Sequence, residues 1–139
     1  MLVSDILKSK GHDVITVRIG DSVALAVRKL AANRIGALVV ENRWMRPVGI
    51  FSERDLVGGA AALGHDVQEL MSSPIISCRS DERIDAVMAQ MAISRIRHVP
   101  VIDDGKLTGI VSIRDLIRHR LDEKELEASV LLDLSRRHA

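Results

Sequence analysis

Apolar residues recur along the chain at two alternating periods, and the alternation itself occurs twice. Val3, Ile6 and Leu7 fall on one face of a short helix running from Val3 to Lys10, which Gly11 ends. Val14 to Val17 reads as a short strand. From Ser22 the apolar positions Val23, Ala26, Val27 and Leu30 keep helical spacing and predict a helix to about Asn33. Two apolar runs too short for helices, Gly36 to Val40 and Pro47 to Phe51, flank the polar turn Glu41-Asn42-Arg43 and predict neighbouring strands. Ser52 then opens a second helix towards Ala62, and Gly64 to Asp66 reads as the link between two halves.

The second half replays this order. Val67 to Met71 matches the opening helix, Ile75 to Cys78 the first strand, and Glu82 to Ser94 the long helix, with Ile84, Val87, Met88 and Met91 as its buried stripe. Arg97-His98-Val99-Pro100-Val101 matches the middle strand, the turn Asp103-Asp104-Gly105 comes next, and Leu107 to Val111 is the last strand. Gly49-Ile50-Phe51-Ser52-Glu53-Arg54-Asp55-Leu56 and Gly109-Ile110-Val111-Ser112-Ile113-Arg114-Asp115-Leu116 agree at six of eight positions, 109 − 49 = 60 residues apart. Each unit reads helix, strand, helix, strand, strand, helix. A unit this short buries too little surface to be secure alone. The expected fold is therefore α/β (α+β), with two motifs, 3–62 and 67–121, packed about a pseudo-twofold axis into one domain.

Ser112 starts a helix with no breaker before the C-terminus, so residues 122–139 extend past the repeat. Ile113, Leu116, Ile117, Leu121, Val130, Leu131 and Leu134 form its apolar stripe, and Arg118 with Asp122 is spaced for an i,i+4 ion pair. A stripe without a partner in the repeat points to pairing with a second subunit. The alternatives are a helix folded back on its own domain, or a frayed tail.

Composition narrows the chemistry. Hydrophobic residues make up 47% and charged ones 28%, which suits a globular chain, and Trp44 and Phe51 are its only aromatics, so the core is aliphatic. Few rings and a net charge of +1 argue against nucleic acid as a partner. The single Cys78 excludes an internal disulfide and fits a buried strand position in a reducing compartment. No apolar run approaches a membrane span or a secretory signal, so no membrane partner and a cytoplasmic location are expected. His12, His65, His98, His119 and His138 form no metal-spaced pair, Cys78 has no partner motif, and no glycine-rich phosphate loop is present. No catalytic residue, metal site or required cofactor is expected.

The candidate chemistry lies in the repeated Ser-x-x-Asp. Either copy alone is an ordinary capped helix start, with the hydroxyl accepting from free backbone N–H groups and the acid in the first turn. Two copies ending matching units point instead to a shared site. Two copies of Gly, two apolar residues, Ser, any residue, Arg and Asp, together with Arg95-Ile96-Arg97-His98-Val99-Pro100-Val101, resemble a tandem pair of cystathionine-beta-synthase (CBS) motifs, a Bateman module. The resemblance covers Val3 to about Leu121, and the chain looks like small stand-alone bacterial members with no catalytic domain attached.

That resemblance implies a regulatory module for an adenosine-containing ligand such as AMP, ADP, ATP, NAD(H) or S-adenosylmethionine. It also implies that Asp55 and Asp115 grip a ribose, each beside its serine, Ser52 or Ser112. A carboxylate only accepts, so it can take both ribose hydroxyl protons, while a helix start offers N–H groups to phosphate. Arg54 and Arg114 either supply countercharge or are simply solvated.

By the same resemblance each cleft is composite. Ile75, Ile76 and Ser77 would meet the base in the Asp55 cleft, with Arg97, His98 and Pro100 near the phosphates. Val14, Ile15 and Thr16 would serve the Asp115 cleft, where Gly36 and Ala37 replace Arg97 and His98, so the Asp55 cleft is expected to be preferred. Arg97 and His98 can equally be strand residues near the rim. The expected partners are the small molecule, a second copy joined through the motif helices and the C-terminal helix, and an unidentified target protein. A ligand-independent oligomerisation scaffold is the alternative.

Overall fold

The computed structural model describes residues 1–56 and 58–137. In chain order the elements are α1 (Val3–Lys10), β1 (Thr16–Arg18), α2 (Val23–Asn33), β2 (Ala37–Glu41), β3 (Pro47–Ser52), α3 (Val67–Leu70), α4 (Ile84–Ser94), β4 (His98–Asp103), β5 (Lys106–Ser112) and α5 (Ile113–Arg137). The expected mixed fold of two similar halves with a long final helix is the one observed. In the first half β1 pairs parallel to β2, and β2 antiparallel to β3, with a bulge after Val40. In the second, β4 pairs antiparallel to β5 with a bulge at the matching place, after Val101.

Two expected elements are corrected. The helix expected from Ser52 towards Ala62 is two short 3-10 turns, Glu53–Asp55 and Gly59–Gly64. Gly58, at φ of 99°, precedes the second turn, and Gly59, at 62°, opens it; that left-handed backbone is incompatible with a continuing α-helix. Val57 lies outside the described residues. The strand expected over 75–78 is reduced to one parallel bridge between Cys78 and Val101. Its counterpart β1 gains a bond from the Val39 N–H to the Ile15 carbonyl at 3.2 Å. Pro100 stands in the place of Val39 and has no N–H to give Ile76.

The two cores exchange their opening helices. Val3, Ile6 and Leu7 of α1 pack with Cys78, Val87, Met91, Val99, Val111 and Leu116 of the second half. Val67 of α3 packs with Val17, Val23, Leu30, Leu38 and Phe51 of the first. Paired main-chain bonds repeat the exchange: Val3 N–H donates to Glu82 O and Val67 N–H to Asp21 O, both at 2.9 Å. The repeated glycines serve this packing. A Cβ on Gly109 would stand 2.6 Å from Leu7 Cδ2, and one on Gly49 2.6 Å from Met71 Sδ, so each helix presses a side chain onto bare backbone of the other half. Cys78 is buried in this core, and burial, then Glu82 and Asp103, push its thiol up to about 12, which removes the reactive thiolate.

Helix α5 begins inside the fold and leaves it. Leu116 is fully buried, whereas every residue from Lys124 to Arg137 is exposed. Arg118 and Asp122 do not form the expected pair among the described residues. Instead Arg120 reaches across to Asp85 of α4, and Lys124 pairs with Glu127 at 3.6 Å.

Candidate functional site

The seam between the halves is open, forming one continuous cleft of about 770 Å³ lined by both copies of the repeat. That volume lies within the usual range of small-molecule pockets, ~300–1,000 Å³. Of the residues singled out from sequence, Ile15, Ser52, Arg54, Asp55, Ile75 and Ile76 line it, as do Arg97, His98, Ser112 and Arg114. Val14, Thr16, Ser77, Pro100 and Asp115 do not. Pro100 is buried within the β4–β5 pair, a sheet position that keeps it from the cleft.

Each Ser-x-x-Asp closes its turn by the same device. Ser52 N–H donates to Asp55 Oδ2 at 2.9 Å, and Ser112 N–H donates to Asp115 Oδ2 at 2.9 Å. The exchanged helices then give the two carboxylates different partners. The segment after α3 brings Ser72, whose hydroxyl donates to Asp55 Oδ1 at 3.3 Å. The end of α1 brings Lys10, whose Nζ lies 2.6 Å from Asp115 Oδ2 and also donates to the Ile110 carbonyl at 2.8 Å. Asp55 forms no ion pair among the described residues.

Burial pushes the Asp115 carboxyl up, but the Lys10 ammonium and the Ser112 N–H outweigh it and hold the group below its ordinary range. His98 sits opposite Ser112 in the β4–β5 register, and its ring would lie 3.3 Å from a Cβ on Gly36, placing it on the seam between the halves. Burial, then the Lys10 charge, lower its pKa from the ordinary 6.5 despite the opposing pull of Asp115.

Sequence reasoning missed several lining residues. Arg34 and Arg95 hold matching left-handed positions at the ends of α2 and α4, with φ of 52° and 55°, and both line the cleft. With Lys10, Arg54, Arg97 and Arg114 they set six cations against Asp13, Glu53 and Asp55 on its walls. Their equivalence was available as a shift of 95 − 34 = 61 residues, the shift of the middle strands. Among the described residues no group of three or more His, Cys, Asp or Glu is placed to hold a metal, and no helix is long and apolar enough to cross a membrane.

Known proteins share this arrangement. The CBS domain family model matches residues 3–61 and again 67–122. An uncharacterized protein of Methanopyrus kandleri is 33% identical over 113 residues, covering 77% of this chain, and the match spans 58% of that protein's length. The solved CBS-domain containing protein of Agrobacterium tumefaciens superposes with a TM-score of 0.81 at 40% identity, covering 86% of this chain and 92% of that one. The CBS domain pair of protein MJ0100, solved in complex with 5-methylthioadenosine and S-adenosyl-L-methionine, gives a TM-score of 0.79 at 29% identity, covering 88% and 98%. Two matched motifs, one cleft between them and these shared folds place the chain in the CBS domain family.

Proposed function

We propose that the chain is a non-catalytic regulatory module that takes one adenosine-containing ligand, an adenine nucleotide or NAD(H), in the cleft and grips it through Asp55. The observation that carries this reading is the state of the Asp55 carboxylate. It is half-buried, lines the cleft, is aimed by Ser52 and Ser72, and keeps acceptor capacity that no cation among the described residues consumes. A ribose diol supplies the two donors such a group takes. Ile75 and Ile76 give the base an apolar wall, and Arg97 with Arg95 gives phosphates a cationic one. MJ0100 holds adenosine compounds in a CBS pair of the same fold, which supports the ligand class.

In this reading the protein is a cytoplasmic energy or redox sensor. Ligand in the cleft biases the relative orientation of the halves by its difference in affinity for the two arrangements, and the second copy and a target protein read the change. The exposed apolar residues of α5 favour a homodimer and keep a pure interaction scaffold as the second reading.

Thermal shift with AMP, ADP, ATP, NADH and S-adenosylmethionine separates the two. A true ligand at ~100 times its Kd stabilises the fold by about 2.7 kcal/mol, and Asp55→Ala is expected to remove the shift. No shift with any of them supports the scaffold.

A further inference from the structure

We infer that Lys10 is a specificity-determining residue that closes the Asp115 half of the cleft, so that the chain takes one nucleotide rather than two. The inference rests on the reading of the cleft as a nucleotide site. Both halves carry the same Ser-x-x-Asp turn, so the motif alone predicts two equivalent grips. The structure makes them unequal through the placement of Lys10. Lys10 Nζ sits 2.6 Å from Asp115 Oδ2 and is fixed there by a second bond to the Ile110 carbonyl. And Lys10 lines the cleft whereas Asp115 does not, so the ammonium is the member of the pair that faces the cleft.

The device exists once. The opening helices match at a shift of 67 − 3 = 64 residues, seen in the equivalent main-chain bonds of Val3 and Val67 and the equivalent contacts of Leu7 and Met71. The residue equivalent to Lys10 is therefore Pro74, which has no group to offer Asp55. To reach Asp115 a ribose must displace a charge-assisted bond and replace it with neutral hydroxyl donors, which are weaker. The ammonium acts as a resident occupant of the site. It also adds to the charge beside His98, so the Asp115 half holds its countercharge before any ligand arrives.

The test is calorimetric titration of the full chain with ADP. Wild type is expected to bind one ADP per chain. Lys10→Met keeps the side-chain length and removes the charge, and is expected to bind two, the second event appearing only in the variant. Adding Asp115→Asn to that variant is expected to abolish the second event.

Two ADP in wild type, or one in both proteins, overturns the role of Lys10 while leaving the nucleotide reading intact. No ADP binding in either protein overturns this inference, and no thermal shift with any of the five adenosine compounds overturns the nucleotide reading with it. A ligand-free check is the carboxyl titration of Asp115 by NMR, expected to move up in Lys10→Met and to stay low in Lys10→Arg. An Asp115 titration unchanged in Lys10→Met shows that Lys10 does not hold the carboxylate.

Discussion

Asp55 and Asp115 close the same four-residue turn at equivalent places, yet one is met by the Ser72 hydroxyl and the other by the Lys10 ammonium. Beside the second lies His98, whose pKa burial and Lys10 depress. The unfolded chain therefore takes up a proton near the ordinary 6.5 that the folded chain refuses until lower pH. Stability from this group is complete above that pH and is lost as pH falls from there towards the folded pKa. Melting temperature is expected to drop between neutral and mildly acidic pH in wild type, and less steeply in His98→Gln; parallel slopes for the two proteins refute the assignment. Ser52, Asp55, Ser112 and Asp115 are legible in the sequence because they recur at one constant shift. Lys10 is not, since it belongs to the copy whose core it does not enter, and only the packing of α1 on the second half brings it to Asp115.

The exchange of α1 and α3 turns a repeated glycine into a measurable element of stability. Leu7 is 1% exposed and lies against Gly109, so it has little room to yield to a new methyl group. Gly109→Ala is expected to cost ~1–3 kcal/mol by overpacking. Leu7→Ala alone is expected to cost ~2–5 kcal/mol by opening a cavity. In the double variant the new methyl enters the space the leucine leaves, so urea denaturation is expected to give less than the sum of the two costs. Strict additivity means that the two residues do not meet. The helices α1, α2, α4 and α5 are readable from apolar spacing and stops, with the Ser22 side-chain oxygen accepting from the Leu25 N–H as a cap should. The 75–78 strand and the 52–62 helix fail for reasons present in the sequence, on the partner strand in one case and within the segment in the other. Pro100 removes a ladder donor and Gly58-Gly59 breaks a helix, but the apolar runs on either side mask both signals. Which half each opening helix joins has no local signature, because both cores are equally aliphatic.

Two aliphatic cores and an open seam account for the body of the chain, and among the described residues the outer part of α5 packs on neither core. Residues from Lys124 to Arg137 are all exposed, and isolated helices shorter than ~12–15 residues are marginal in water. Val130, Leu131 and Leu134 are 49%, 67% and 45% exposed, and lie on the arc that continues from buried Leu116. A second copy offers an identical arc, and pairing the two would bury the stripe and hold the terminal turns helical. Leu131→Glu with Leu134→Glu puts unpaired charge into such a contact while touching nothing in either core. Wild type is expected to sediment as a dimer, and the double variant as a monomer. In that monomer, amide exchange from Lys124 to Arg137 should accelerate while Val17, Val39 and Val99, deep in the sheets, keep their protection. A wild type that sediments as a monomer with these turns still protected removes the second copy as the partner of α5. A variant that remains dimeric moves the contact to the motif helices, where Ile93 of α4 is 84% exposed.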